Sequence, residues 1–301
     1  NAAKSNIPTG SATPVSLVAR EILQYAKNIS DAIVIAKKRK MFVSESFLVG
    51  SAADNKAVII EKTPDTLDVY DPHKNTIVCA NHFQSNGLSK SKENIQQEKE
   101  SASPYRYERL MELLDSNGKN TVQKTVAILR DQKGLHNADI GMGNEKSINQ
   151  LIAHHSIVFE PKELLVWVST SPWQLGQFVA YDLKKVFALS GMKKNQEIAE
   201  ASLTIAPDSF LLTPAYKKFV HYRQLKERIT DGEKINTDSL ITSNPELYNT
   251  YILAGDYSFK QQAYKNAIAF YEIALKKVIA TTKEEKDIRK KISECNKKLN
   301  P

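Results

Sequence analysis

The chain has 301 residues, of which 41% are hydrophobic and 25% charged. That balance is ordinary for a globular protein that buries a sizeable core without disulfide staples. The formal net charge of +8 permits contact with nucleic acid or an anionic surface, but the lysines are scattered and concentrate on predicted C-terminal helices. Solvated helix faces account for them, and nucleic-acid binding is not expected. No apolar run approaches the roughly 18 residues that a membrane span needs. The two cysteines, Cys79 and Cys295, stand far apart with no CxxC or Cys/His zinc spacing, so no metal or cofactor is predicted.

Thr13-Pro14 reads as a helix start with proline at the first helical position, followed by Val15, Val18, Ile22 and Tyr25 on one face. Ser30 is the expected cap of a second helix. Four strands are predicted next, Phe47–Gly50, Ala57–Glu61, Leu67–Tyr70 and Thr76–Ala80, joined by turns at Asp54-Asn55 and Asp71-Pro72. The last runs into Cys79-Ala80-Asn81-His82-Phe83 and ends on a polar step, where a sheet commonly carries working groups. Residues 84–102 are polar and read as a loop. Ser103-Pro104 opens a helix with Gly118 as its C-cap, and Thr121 caps another that ends near Gly134. After an irregular stretch over 135–147, strands are expected at His155–Phe159, Leu164–Ser169 and Gln177–Tyr181. Helices and hairpins in blocks, without βαβ alternation, imply an α+β fold.

From about Ser209 the chain turns helical and basic. Tyr251, Gly255, Ala267, Tyr271 and Ala274 match the spacing of one tetratricopeptide repeat, with Ile279 where the repeat has proline. A plain helical hairpin fits the same pattern. Thr282 with Glu285 reads as a capping box, and Ile288, Ile292, Cys295 and Leu299 form an apolar stripe. Two domains follow, 1–208 and 209–301. One repeat cannot stand alone, so the tail is expected to dock on the first domain or on a protein partner.

Asn81 offers an amide beside a strand end. It serves either a local turn or, as a donor, a developing oxyanion. Arg106 lies in the first turn of its helix, where a cation opposes the macrodipole. It is either a surface arginine or the partner of a carboxylate, thiolate or substrate anion. Cys79 reads as a core thiol, and His154-His155 point to opposite faces of a strand.

The order of these features resembles the choloylglycine hydrolase superfamily. The features are the opening Asn1, the two helices, the Ala57–Glu61 strand, Cys79-Ala80-Asn81-His82-Phe83 and Ser103-Pro104-Tyr105-Arg106-Tyr107-Glu108-Arg109-Leu110. Over residues 1–185 the closer likeness is to the branch of acyl-coenzyme A:6-aminopenicillanic acid acyltransferase-like proteins, peptidase family C45. The resemblance implies an N-terminal-nucleophile αββα sandwich of antiparallel sheets, extended here by the helical, TPR-like tail. It further implies autoproteolysis that exposes an N-terminal cysteine. That thiol attacks an amide or thioester carbonyl, and its own α-amine, with an unperturbed pKa of about 7.7–8.0, serves as base. The implied substrate is a small N-acyl amide or acyl thioester.

Carried over by position, Asn81 is the strand-end amide near the oxyanion, Arg106 holds the nucleophile, and Asn1 contributes to the oxyanion site. Ala80 stands where the family commonly has Thr. No cysteine opens the chain, and the Arg and Asp that follow the family's nucleophile are missing as well. The chain is therefore expected to be a fragment or processed product whose nucleophile lies upstream of Asn1 or on a separate N-terminal chain, and to be inactive alone. The rival expectation is a catalytically inactive binding protein on the same fold that uses its tail for docking. The compartment stays open, with secretion or a periplasmic location expected if an upstream segment carries a signal.

Overall fold

The first hairpin follows from two apolar runs joined by a turn at Asp54-Asn55. β1 (Glu45–Ser51) and β2 (Lys56–Lys62) pair antiparallel with Phe47 opposite Ile60, and β3 (Leu67–Tyr70) continues the sheet with Val69 opposite Ile60. Helices α1 (Val15–Tyr25) and α2 (Ile29–Lys38) precede it. Val18, Ile22, Ala32 and Ala36 of these helices cluster with Val58 and Ile60. Successive strand residues face opposite ways, so Ile59 and Glu61 project from the other side of β2, and both are fully buried. The central strand is thus covered on both faces.

The computed structural model describes residues 12–191 and 193–300. Among them are eleven α-helices and two three-stranded sheets, ordered β1-β2-β3 and β4-β5-β6. The α+β class therefore holds. Helix α3 (Lys92–Glu100) lies inside the stretch expected to be a loop. It has no apolar stripe to announce it. Ser91 caps it by accepting the Asn94 N–H at 3.2 Å, and Asn94 is its buried residue. Helix α4 (Ser103–Ser116) begins at the expected serine, and α5 (Val122–Leu129) is capped by Thr121 as read, ending five residues before Gly134.

Other expectations shift. Asn28, not Ser30, caps α2 by accepting the Asp31 N–H at 2.8 Å. Tyr25 is exposed rather than on the packed face of α1. The expected strand Thr76–Ala80 pairs with no other strand among the described residues. Its residues alternate in burial, with Val78 and Ala80 inside. The apolar pattern recorded burial, not ladder pairing.

The described residues form two compact units. One comprises residues up to Met111 with Glu160–Leu164, the other Glu112–Phe159 and everything from Leu165. In the second, β4 (Ile157–Glu160), β5 (Leu165–Ser169) and β6 (Phe178–Asp182) pack Val158, Trp167, Phe178 and Ala180 against Val126 of α5. A short α6 (Leu183–Phe187) follows. Then come α7 (Pro214–Thr230), α8 (Thr237–Ser243), α9 (Tyr248–Lys260), α10 (Tyr264–Ala274) and α11 (Thr282–Leu299). Thr281 caps α11 with Glu284, one residue earlier than the expected Thr282–Glu285 box. The compactness boundary falls near residue 111, while the 1–208 and 209–301 division followed composition. The packing explains why they differ. Leu151 and Leu175 are fully buried in the same cluster as the C-terminal helices. The Asn244 amide also accepts the Met142 N–H at 3.1 Å and donates to the Met142 carbonyl at 2.8 Å.

Candidate functional site

The site forms where the chain leaves the buried Val78–Ala80 stretch and meets the start of α4, all within the first unit. Ser103 is the first residue of α4 and is fully buried. Its Oγ accepts the backbone N–H of Asn81 at 2.7 Å and lies 2.8 Å from His82 Nδ1. The hydroxyl proton is free to turn toward the ring. The network is therefore satisfied with Ser103 donating to Nδ1 and the ring proton on Nε2. Burial lowers the His82 pKa, with Glu98 opposing and Arg106 adding to the effect, so the imidazole is neutral near pH 7. The Tyr107 ring meets it edge-on at 5.6 Å.

One turn into α4, Arg106 Nη2 donates to Asn81 Oδ1. The contact fixes which end of the amide faces the guanidinium, because a guanidinium only donates. Asn81 Nδ2 is left without a hydrogen-bond partner among the described residues.

The peptide after His82 is clamped from two sides. Glu61, reaching from β2, accepts the N–H of Gln84 at 2.7 Å and of Ser85 at 2.9 Å. Burial nevertheless raises its pKa, the hydrogen bonds only partly offsetting the lost hydration. Asn94 of α3 accepts the Phe83 N–H at 2.7 Å and donates to the Phe83 carbonyl at 3.2 Å. Gln84 Nε2 reaches back to the Val78 carbonyl at 2.8 Å. Asn81 and His82 therefore sit on a short segment held by the start of α4 on one side and, through the residues that follow, by β2 and α3 on the other.

Such a centre can hold negative charge, with an unspent amide donor and a guanidinium fixed beside it. It supplies no activated thiol of its own. Burial pushes the Cys79 thiol up to about 11, which keeps it protonated and a poor nucleophile. Cys295 is buried on α11 and likewise raised.

Of the three residues singled out in the sequence, Asn81 and Arg106 touch, and Asn1 lies outside the described residues. Sequence reading missed Ser103 as a ligand of the Asn81 backbone, His82 as its partner, and Glu61 and Asn94 as clamps. The Ser-Pro helix start was the one local signal for Ser103. Nothing in the polar 84–102 run marked Asn94.

No curated protein and no solved structure matches the chain. The sequence profile described as acyl-coenzyme A:6-aminopenicillanic acid acyl-transferase matches residues 1–171, more than half of the 301. The matched span includes Asn81 and Arg106 together with α4, which holds them. The chain belongs to the acyl-coenzyme A:6-aminopenicillanic acid acyl-transferase family.

Proposed function

We propose that the chain supplies the oxyanion-binding part of an acyl-transfer centre that acts on N-acyl amides or acyl thioesters, as hydrolase or acyltransferase. The observation that carries this reading is the Arg106–Asn81 contact, which turns the amide so that Nδ2 is the free donor. In attack on a carbonyl, charge builds on the oxygen, and a donor already oriented toward it lowers the barrier without reorganising. Ser103 and Glu61 act as positioning residues that hold the peptide of Asn81 and its successors.

The nucleophile in this reading is the thiol of an N-terminal cysteine, exposed by autoproteolysis, that belongs to a segment upstream of Asn1 or to a separate chain. Its α-amine is the base. Support comes from the two cysteines of the chain, neither of which is a competent thiolate near neutral pH. The fold that accompanies this chemistry is the αββα sandwich, with the helical, TPR-like part as an appendage.

The test compares amine release from a panel of N-acyl amino acids and penicillin V by this chain alone and by the protein whose mature chain begins with that cysteine. The cysteine-led protein is expected to be active and the chain alone inert. In the active protein, Asn81→Ala is expected to lower kcat by about 10²–10³ with KM little changed, and Cys79→Ser to leave kcat intact. Equal activity of the chain alone, or full kcat in Asn81→Ala, overturns the reading.

A further inference from the structure

The second unit contains a cavity of about 480 Å³ that neither the acyl-transfer reading nor the family match assigns. One wall is α7, which presents Phe219, Tyr222, Arg223 and Lys226 at helical spacing. The lining also draws on the segment from Met142 to Ile152 and, at the starts of α9 and α11, on Tyr248, Asn249 and Glu284. The volume lies in the range of small-molecule sites.

The polar groups of this cavity fall into two classes. Its carboxylates are occupied or solvated. Glu284 accepts from the Tyr248 hydroxyl and from Thr281 Oγ1 at 2.7 Å. Glu145 has partners of its own, and Glu227 and Asp231 are exposed. The donors are unspent. Tyr222 donates to Asn249 Oδ1 at 3.2 Å, which leaves Asn249 Nδ2 with no partner among the described residues. Lys226 makes no ion pair among them. Arg223 holds its guanidinium 4.6 Å over the Trp173 ring and makes no ion pair among the described residues. Gln150 and Thr230 spend their side-chain donors on the carbonyls of Glu145 and Lys226, and the remaining lining is apolar or aromatic.

We propose that this cavity is a binding site for a small amphipathic carboxylate, its anion held by Lys226, Asn249 and Arg223 and its apolar body packed on Leu151, Phe219 and Tyr222. A ligand with no acceptor would leave Asn249 Nδ2 unpaired, which is costly where the group is shielded from water. An anion with no apolar body would leave the aromatic walls wet.

The probe is 3-phenylpropanoate, titrated into the whole chain and followed by calorimetry and by tryptophan fluorescence, since Trp173 carries Arg223. The neutral isostere 3-phenylpropanamide is the control. Saturable one-site binding is expected, at least about tenfold tighter for the acid than for the amide. Lys226→Gln, at an exposed position, and Asn249→Asp, which keeps the acceptor for Tyr222 but replaces the donor with a like charge, should each weaken acid binding about tenfold or more. Both should leave amide binding and the thermal midpoint in place. Equal affinity for acid and amide, wild-type affinity in Lys226→Gln, or no saturation overturns the proposal. If Asn249→Asp lowers the melting midpoint, Lys226→Gln alone decides.

Discussion

At the scale of single residues, the site rests on a hydroxyl. Ser103 satisfies two buried groups at once, the Asn81 N–H and the His82 ring nitrogen. Ser103→Ala removes both partners without opening space for much water, and an unmet buried polar group costs roughly 1–3 kcal/mol. Ser103→Ala should therefore lose about 2 kcal/mol in denaturant unfolding. Ser103→Thr keeps the hydroxyl and should recover part of the loss if the methyl fits. A loss below about 0.5 kcal/mol in the alanine variant would show that Ser103 does not hold Asn81. Arg106 and Asn81 were legible in the sequence because the order of motifs placed them. Ser103, His82 and Glu61 were not, because their meaning lies in contacts closed across 21 to 24 residues. A lone Ser, His or Glu looks alike in a turn and in a clamp.

Elements were read where local chemistry and burial agree. β1 to β3 are apolar runs bounded by turn residues, so they appear where expected. The Thr121 cap announced α5 in the same way. Thr76–Ala80 misled because an apolar run can be buried as a passing segment, and the ladder that defines a strand depends on a distant partner. Helix α3 was hidden for the opposite reason, since its surface is polar nearly all round. The α9–α10 pair shows the limit of propensity as a guide. Gly255 sits mid-helix, where alanine is intrinsically better by about 1 kcal/mol. A Cβ built there would come within 2.4 Å of the Tyr271 ring, and that ring is buried and tied through its hydroxyl to Asp256 at 2.6 Å. Steric overpacking in a tight core costs about 1–3 kcal/mol, which outweighs the propensity gain. Gly255→Ala is expected to lower the thermal midpoint, and Gly255→Ala combined with Tyr271→Phe, which frees the ring from Asp256, to recover part of it. A rise in midpoint for the single variant would mean that the ring yields freely.

Across the whole molecule, buried apolar mass is unevenly spread, and local stability should follow it. The C-terminal helices share one large cluster in which Ala254, Ala267 and Ala274 are fully buried and Tyr271 nearly so. The first unit has a smaller cluster beneath α1 and α2, with a separate pocket of Phe83 and Leu88 near the site. Its edge strand β1 leaves Leu48 and Gly50 exposed. Opening the β1–β3 sheet therefore exposes less apolar surface than opening the α9–α10 pair. Native-state hydrogen exchange should place the amides of Ala254 and Tyr271 among the slowest, and those of Asp68 and Val69 on β3 faster by at least about tenfold, equivalent to roughly 1.4 kcal/mol of opening free energy. Ser103→Ala should accelerate β2 and leave α9 unchanged, because Ser103 and β2 lie in the first unit and α9 in the second. Uniform protection across both units would mean that they open as one cooperative block, and β3 slower than α9 would reverse the ranking that burial assigns. The acyl-transfer reading places its centre in the less protected unit, consistent with the general tendency of ligand-handling segments to come from the low-stability part of a fold.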